Sequence, residues 1–314
     1  MISDTQQPIL VNLSAMMCAE SCILTSLNYR GLDYRYFMLE CWSLLYESSL
    51  ILAGKNITRY DLDAVYGIQT LEVNGGIARL IEAVGNLKIS IVSTLSSKLD
   101  FFPDYQITFE SEGFKHQLVV VDYDHHLDAF HVLDPIANYS GKIKSADLLR
   151  ASTEETGFRF LELEFPQNPK VIPVCEIFSR ATMININRMG INAESVKAMR
   201  LDVRSLAMWD ERKRNQWLEQ NNLTIATIIK ARQMVWNCYV ELNVLPECNY
   251  PLLNESFHRI IGEWTSINFF LLKYKHQQQS GAKHAHTIDS KLEHVFLAEK
   301  SFIELLYALG QTAG

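Results

Sequence analysis

No apolar run in this sequence reaches the ~18–20 residues that a membrane-spanning helix needs. The N-terminal residues, MISDTQQPIL, lack the basic start and the apolar core of a signal peptide. The sequence also lacks a dense basic stripe of the kind that binds a phosphate backbone. We therefore expect a cytoplasmic protein with neither a membrane nor a nucleic acid among its partners.

Cysteine is scarce, with six residues in a chain of 314. The cysteines are spread along the chain without secretory features, which favours free thiols over a disulfide framework. Cys18 and Cys22 have no second ligand pair nearby, and His284 and His286 stand alone in a segment rich in glycine, serine and glutamine. These spacings predict no zinc site and no other metal site.

The sequence has an ordinary globular composition and an uneven charge. Hydrophobic residues make up 48% of the chain and charged residues 21%, which is enough for one large core or two modest ones. The net charge of −7 comes from residues 1–194, where acidic residues outnumber basic ones. Charge therefore distinguishes the two halves of the chain.

Hydrophobic spacing in residues 1–165 predicts helices followed by strands. A helix that begins at Cys18 is predicted to end at Gly31, and further helices are predicted over residues 34–47 and 76–84. Short β-branched or aromatic segments bounded by turn residues then predict an antiparallel sheet, with strands over residues 87–93, 106–110, 117–123, 129–133 and 158–165. This order of elements is typical of the α+β class.

The pattern becomes helical after a proline-rich stretch. Residues 166–173, PQNPKVIP, contain three prolines, so we assign residues 166–193 to a linker or domain edge. Apolar residues at three- and four-residue spacing then predict an all-α domain over residues 194–314. Its helices are predicted over residues 194–220, 224–242, 254–278 and 289–309.

A cysteine, a histidine and an aspartate are spaced so that one hairpin and one helix could bring them together. Cys18 stands at a helix N-terminus, whose positive partial charge favours the thiolate that attacks a carbonyl carbon. His116 begins one apolar strand and Asp134 ends the next, so a turn over residues 124–128 places them side by side. The histidine would take the thiol proton and the carboxylate would hold the imidazole tautomer. We predict that Cys18, His116 and Asp134 form a catalytic triad.

Each of these residues also has a structural alternative. Cys18 could be a small buried residue at a helix start, and Asp134 could end a strand because Pro135 follows it. Cys22 lies one helical turn after Cys18 and is predicted to be a core residue. Other histidines near the hairpin are predicted to be solvated or packed within a strand: His125, His126 and His131.

The candidate residues resemble a known family. The bacteriocin-processing peptidases, papain-like enzymes that cut after double-glycine leaders, share the order and spacing of five features: Cys18, Cys22, Tyr29-Arg30-Gly31, His116 with its apolar strand, and Asp134-Pro135. In that family a carboxamide six residues before the nucleophile helps to form the oxyanion hole. The resemblance therefore implies an oxyanion role for Asn12.

The opening pattern Cys-x(8)-Leu-Asn-Tyr-x-Gly, from Cys18 to Gly31, is also similar to papain-like acyltransferases of the butirosin-biosynthesis BtrH type. Those enzymes have a helical region after the papain-like domain. The resemblance implies an acyltransferase of antibiotic or other specialised metabolism that needs no cofactor of its own. Its acyl donor would be a thioester on the phosphopantetheine of an acyl or peptidyl carrier protein, and its acceptor a small amine. A peptidase or thioesterase with the same triad, and a non-catalytic module that binds a peptide or carrier protein, are the alternatives.

Basic residues of the helical region have two interpretations. Carrier proteins tend to be acidic, so these residues could form a docking surface. Interleaved acidic residues favour an ordinary solvated helix face. The residues are Arg200, Arg204, Arg212, Lys213 and Arg214.

Overall fold

The computed structural model describes residues 10–12, 18–54, 59–103, 115–168, 172–277 and 281–312. These residues form two compact units. The first unit is drawn from residues 1–34 and 57–171, and the second from residues 35–56 and 172–314. This division differs from the predicted one, with a catalytic domain over 1–165, a linker over 166–193 and a helical domain over 194–314, because residues 35–56 belong to the second unit.

Helices and strands are numbered along the chain. The helices are α1 (Cys18–Tyr29), α2 (Arg35–Met38), α3 (Arg59–Tyr66), α4 (Ile77–Gly85), α5 (Ser145–Arg150), α6 (Val174–Ser205), α7 (Glu211–Glu241), α8 (Tyr250–His276) and α9 (Gly281–Thr312). The strands are β1 (Ser43–Glu47), β2 (Leu50–Gly54), β3 (Gln69–Gly75), β4 (Ile89–Leu95), β5 (Lys115–Asp124), β6 (Ala129–Asp134), β7 (Tyr139–Lys144) and β8 (Phe158–Glu164).

The first unit is built on an antiparallel sheet with the strand order β3-β8-β4-β5-β6-β7. Helix α1 packs against β4, β5 and β6, and α4 packs against β3, β4 and β5. Leu80 and Val84 of α4 join Leu118, Phe130 and Phe160 of the sheet in one buried cluster. The predicted α+β class and antiparallel sheet are therefore confirmed.

Helix α1 is almost completely buried from its third residue onward. Glu20 through Leu27 are all buried, so the helix runs through the interior of the first unit. It stops as predicted at Gly31, which has a φ of +71°, a left-handed conformation that glycine adopts readily because it has no Cβ. The N–H of Leu32 then donates to the carbonyl of Leu27 at 2.9 Å, which is the C-terminal bond of a Schellman motif.

Strands β5 and β6 form the hairpin that the sequence predicts. Asp124 Oδ1 accepts the backbone N–H groups of His126 and Leu127, and the left-handed conformation of Asp128 completes the turn. The register places Val119 opposite Leu133. The start of β5 therefore lies beside the end of β6.

Helix α4 and strands β4, β5, β6 and β8 confirm the corresponding predictions. The strand predicted over residues 106–110 lies outside the described residues. Strands β3 and β7 were not predicted, and they form the two edges of the sheet. Edge strands bury few side chains, so their sequences, QTLEVNG and YSGKIK, carry little hydrophobic alternation.

The second unit combines four long helices with a short hairpin. Helix α6 packs on α9, α9 on α8, and α8 on α7. The hairpin contacts α6 through β1 and α7 through β2, so it closes the gap between the first and last helices of this series. Within the described parts of the chain, no helix is both long and apolar enough to span a membrane.

The prediction of one helix over residues 34–47 is wrong. This segment forms the short helix α2 and then the strand β1. Ser48 and Ser49 have φ values of 51° and 64°, which produce the tight turn between β1 and β2. Asn192 of α6 accepts the N–H of Leu44, and Asn221 of α7 accepts the N–H of Ile51. These helix side chains satisfy backbone groups that a two-stranded sheet leaves unpaired.

The long helices confirm the predicted helical region, but their boundaries differ from the predicted ones. Helix α6 begins at Val174, so most of the predicted linker is helical. The break predicted near residue 222 is instead at Asp210, whose side chain caps α7 by accepting the N–H of Lys213 at 2.9 Å. Arg200 and Arg204 of the predicted basic face both bond Asp289 of α9, so they tie two helices together.

A buried ion pair lies in the core of the second unit. The guanidinium of Arg232 donates to both carboxylate oxygens of Glu299, at 2.8 and 3.0 Å, and both side chains are fully buried. Trp264 Nε1 also donates to Glu299 at 2.8 Å, and the guanidinium stacks on the ring of Trp42. Removing either partner would leave the other charge buried without compensation.

We expect Glu299→Ala to lower the free energy of unfolding of the second unit by about 3–5 kcal/mol. The matched control is Glu304→Ala on the same helix, which removes an exposed pair with Lys300 and is expected to cost about 0.5 kcal/mol. All five tryptophans belong to the second unit, so urea unfolding followed by tryptophan fluorescence reports on it directly. Equal unfolding midpoints for the two variants would contradict this prediction.

Candidate active site

Cys18 is the first residue of α1, as predicted. Its side chain is half-buried and lines a cleft, whereas the residues that follow it in the helix are mostly buried. The N-terminal end of a helix carries a positive partial charge that favours a thiolate there. Cys18 therefore combines access from the cleft with a favourable electrostatic position.

His116 lies near the start of β5 and is fully buried. Its backbone pairs with Thr94 of β4, and the Thr94 hydroxyl donates to the His116 carbonyl at 3.4 Å. The ring of Phe102 packs edge-on against the imidazole, with 4.8 Å between ring centroids. The strand and this aromatic contact fix the orientation of the imidazole.

Asp134 completes the arrangement from the end of β6. Its Oδ2 lies 2.7 Å from Nε2 of His116, and both side chains are buried. Its Oδ1 accepts the backbone N–H groups of Ile136 and Ala137, at 2.9 and 3.0 Å. The carboxylate is thus held by the turn that follows the strand, with one oxygen directed at the imidazole.

The electrostatic environment keeps His116 protonated near neutral pH. Burial by itself lowers its pKa, but the hydrogen bonds with Asp134 and Cys18, together with the charges of both groups, raise the pKa to about 9. Because Nε2 of His116 is hydrogen-bonded to Asp134, Nδ1 is the ring nitrogen that can exchange a proton with the Cys18 sulfur.

The cleft beside Cys18 has a volume of about 540 Å³ and lies within the first unit. Its wall crosses β3, β8, β4 and β5, and Ser93 and Gln117 stand opposite each other on the two strands nearest the site. Arg159 and Glu72 also line the cleft, with 3.5 Å between Nη2 and Oε2. The apolar part of the wall is formed by Ala19, Ile23, Ile91, Phe160 and Leu161. A cleft of this size accommodates a small organic substrate.

The other candidates lie apart from this arrangement. Cys22 is buried in the core, as predicted, and burial, the neighbouring Cys18 and Asp134 raise the pKa of its thiol. Asn12 is exposed and does not line the cleft, and residues 13–17 lie outside the described residues, so its oxyanion role stays a prediction. The remaining histidines of the hairpin are exposed or half-buried and lie outside the cleft: His125, His126 and His131.

The sequence did not predict Phe102, Ser93 or Gln117 as site residues. Phe102 follows a short 3₁₀ helix and has no local signal that it contacts His116. Ser93 and Gln117 are neighbours only through the register of β4 and β5, which the period of a single strand does not reveal. Among the residues that the structure describes, no group of histidine, cysteine, aspartate or glutamate side chains is arranged to hold a metal ion.

No model of a protein family matches the chain, and no curated protein matches it. The geometry of this cleft and the sequence motifs that form it are therefore the only indications of function among the described residues.

Proposed function

We propose that this protein is a cysteine acyltransferase that moves an acyl group from a thioester, through an acyl-enzyme on Cys18, to an amine. The observation that carries the proposal is the chain of contacts from Cys18 to His116 to Asp134 at the edge of an open cleft. A half-buried thiol beside a protonated, carboxylate-bound imidazole is suited to nucleophilic attack on a carbonyl carbon.

In the first step the Cys18 thiolate attacks the carbonyl carbon of the donor thioester. The new bond from the Cys18 sulfur to this carbon forms, the donor carbon–sulfur bond breaks, and the departing thiol takes the proton of the His116 imidazolium. In the second step the amine attacks the same carbon and His116 accepts one amine proton. The bond to Cys18 breaks, the amide leaves, and the thiolate and imidazolium are restored.

The donor and acceptor follow from this chemistry and from the sequence resemblance. A thioester is already activated, so the transfer needs no cofactor on the protein. We propose a thioester on the phosphopantetheine of a carrier protein as the donor and a small amine as the acceptor. The papain-like assignment of the first unit belongs to the same proposal, and it is supported by a helix-borne cysteine facing a histidine and an aspartate on adjacent antiparallel strands.

The test is an intact-mass measurement of the acyl-enzyme. Cys175 and Cys248 are exposed, so the protein is used with Cys175→Ser and Cys248→Ser, which remove competing thiols. Acetyl-N-acetylcysteamine thioester is the donor and n-propylamine the acceptor. We expect an acetyl adduct on Cys18 whose decay rate rises with amine concentration and which yields N-propylacetamide.

Two results would contradict the proposal. An adduct whose decay is indifferent to the amine would assign the same triad to a hydrolase, because water then resolves the acyl-enzyme. Absence of any adduct from this donor and from longer acyl thioesters would remove the acyl-enzyme mechanism.

A further inference from the structure

Gln117 is one of the residues that line the cleft beside the proposed nucleophile. It follows His116 on β5, and its cross-strand neighbour on β4 is Ser93. Residues opposite each other on neighbouring strands share one face of a sheet. Both residues line the cleft together with Cys18. Gln117 therefore lies on the surface that a substrate at the Cys18 sulfur would contact.

The backbone of Gln117 is fixed relative to Cys18. Its carbonyl accepts the thiol S–H of Cys22 at 3.2 Å, and Cys22 is one helical turn after Cys18 on α1. Cys22 is fully buried, so this contact belongs to the rigid interior of the first unit. The position of the Gln117 backbone relative to α1 is thus set by the core, and only the side-chain torsions move the carboxamide.

The carboxamide itself has an unused acceptor. Gln117 Oε1 is buried and has no hydrogen-bond partner among the residues that the structure describes. A buried polar atom without a partner destabilises the folded state, and Gln117 Oε1 gains a partner when the carboxamide turns to the cleft and a ligand there brings a donor. Rotation about the terminal side-chain torsion costs little, so the oxygen can turn toward that donor.

We infer that Gln117 accepts a hydrogen bond from the acyl acceptor and thereby selects a primary amine. This inference rests on the proposed acyl transfer. The attacking amine must give one N–H proton to His116, and a second N–H is needed to hold the nitrogen on Gln117 with its lone pair toward the acyl carbon. A primary amine has two N–H groups, so it can give one proton to His116 and donate the other N–H to Gln117. A secondary amine has only one, which His116 takes.

The experiment compares two isomeric amines, n-propylamine and N-methylethylamine, as acceptors for the acetyl-enzyme. In the wild type we expect a preference for the primary amine. Gln117→Met keeps the size of the side chain and removes its acceptor, and we expect the rate constant for n-propylamine to fall at least about fivefold. The rate constant for N-methylethylamine and the rate of Cys18 acetylation should stay within about twofold, a pattern that a general structural defect does not produce.

Two further variants complete the test. Gln69→Met is the matched control. Gln69 lies on the edge strand β3, donates a hydrogen bond to Asp63 and is outside the cleft. This variant should leave the preference for the primary amine unchanged. Gln117→Glu retains an acceptor oxygen and should retain the preference for the primary amine. An unchanged preference in Gln117→Met, or a lost preference in Gln117→Glu, would overturn the role of Gln117 while leaving acyl transfer intact. Wild-type decay that is indifferent to both amines would overturn acyl transfer and this inference together.

Discussion

Cys18→Ala is expected to lower acyl-enzyme formation by about 10³-fold or more, because no other thiol of the first unit can replace it. Cys22 is the nearest thiol, one turn further along α1, but it is fully buried and already donates to the Gln117 carbonyl. The measurement is the rate of acetyl adduct formation from acetyl-N-acetylcysteamine, followed by intact mass in the background without Cys175 and Cys248.

The matched control for this prediction is Cys22→Ala, which removes a thiol four residues away on the same helix. This variant should keep adduct formation within about tenfold of the wild type, since the change trims a small core side chain. Iodoacetamide should label Cys18 faster than Cys22, because Cys22 is fully buried. An adduct that persists in Cys18→Ala, or that maps to Cys22, would show that the nucleophile is misassigned.

The proximity of His116 and Asp134 was predictable because it depends on one local hairpin. His116 and Asp134 belong to one hairpin, and the turn residue Asp124 bonds backbone groups only two and three residues away. Strand alternation and a short turn are signals that a single sequence carries. The helix stop at Gly31 is equally local, since it depends on one residue that tolerates positive φ.

The features that were missed depend on contacts between distant segments. The hairpin of β1 and β2 bonds Asn192 and Asn221, which are 148 and 170 residues away from the backbone groups that they satisfy. Local spacing in residues 34–47 favoured a helix, and only these partners make the extended conformation preferable. Phe102 is close to His116 in the chain, but it lies in a loop after a 3₁₀ helix, so no periodic pattern indicates that its ring contacts the imidazole.

The cleft also contains a carboxamide that the sequence resemblance does not assign. Asn12 was assigned from the resemblance alone and does not line the cleft, whereas Gln117 has a carboxamide within it. The burial of Gln117 Oε1 without a described partner depends on the neighbouring strand and helix, so no pattern of residue types reveals it. The proposed selection of a primary amine by Gln117 therefore depends on the three-dimensional arrangement and not on a sequence motif.

Asp134→Asn is expected to slow amine-dependent transfer by about 10²–10⁴-fold through the wrong imidazole tautomer. The carboxylate Oδ1 accepts two backbone N–H groups, from Ile136 and Ala137. An asparagine oxygen is needed at that place, so its NH₂ group would point at Nε2 of His116. Nε2 must then act as an acceptor, the ring proton moves to Nδ1, and the nitrogen facing Cys18 can no longer take a proton from the thiol or the amine.

The same variant should lower the pKa of His116, which NMR titration of the imidazole measures directly. In the wild type this pKa is raised to about 9, and the hydrogen bond with Asp134 is the largest contribution that raises it. The raised pKa stabilises the folded state fully below about pH 6.5, and this contribution is lost as the pH rises through about 9. In Asp134→Asn burial dominates, so the pKa should fall toward or below its ordinary value. Asp128→Asn, an exposed change in the same hairpin, is the control, and an equal pKa for His116 in both variants would contradict the assigned role of Asp134.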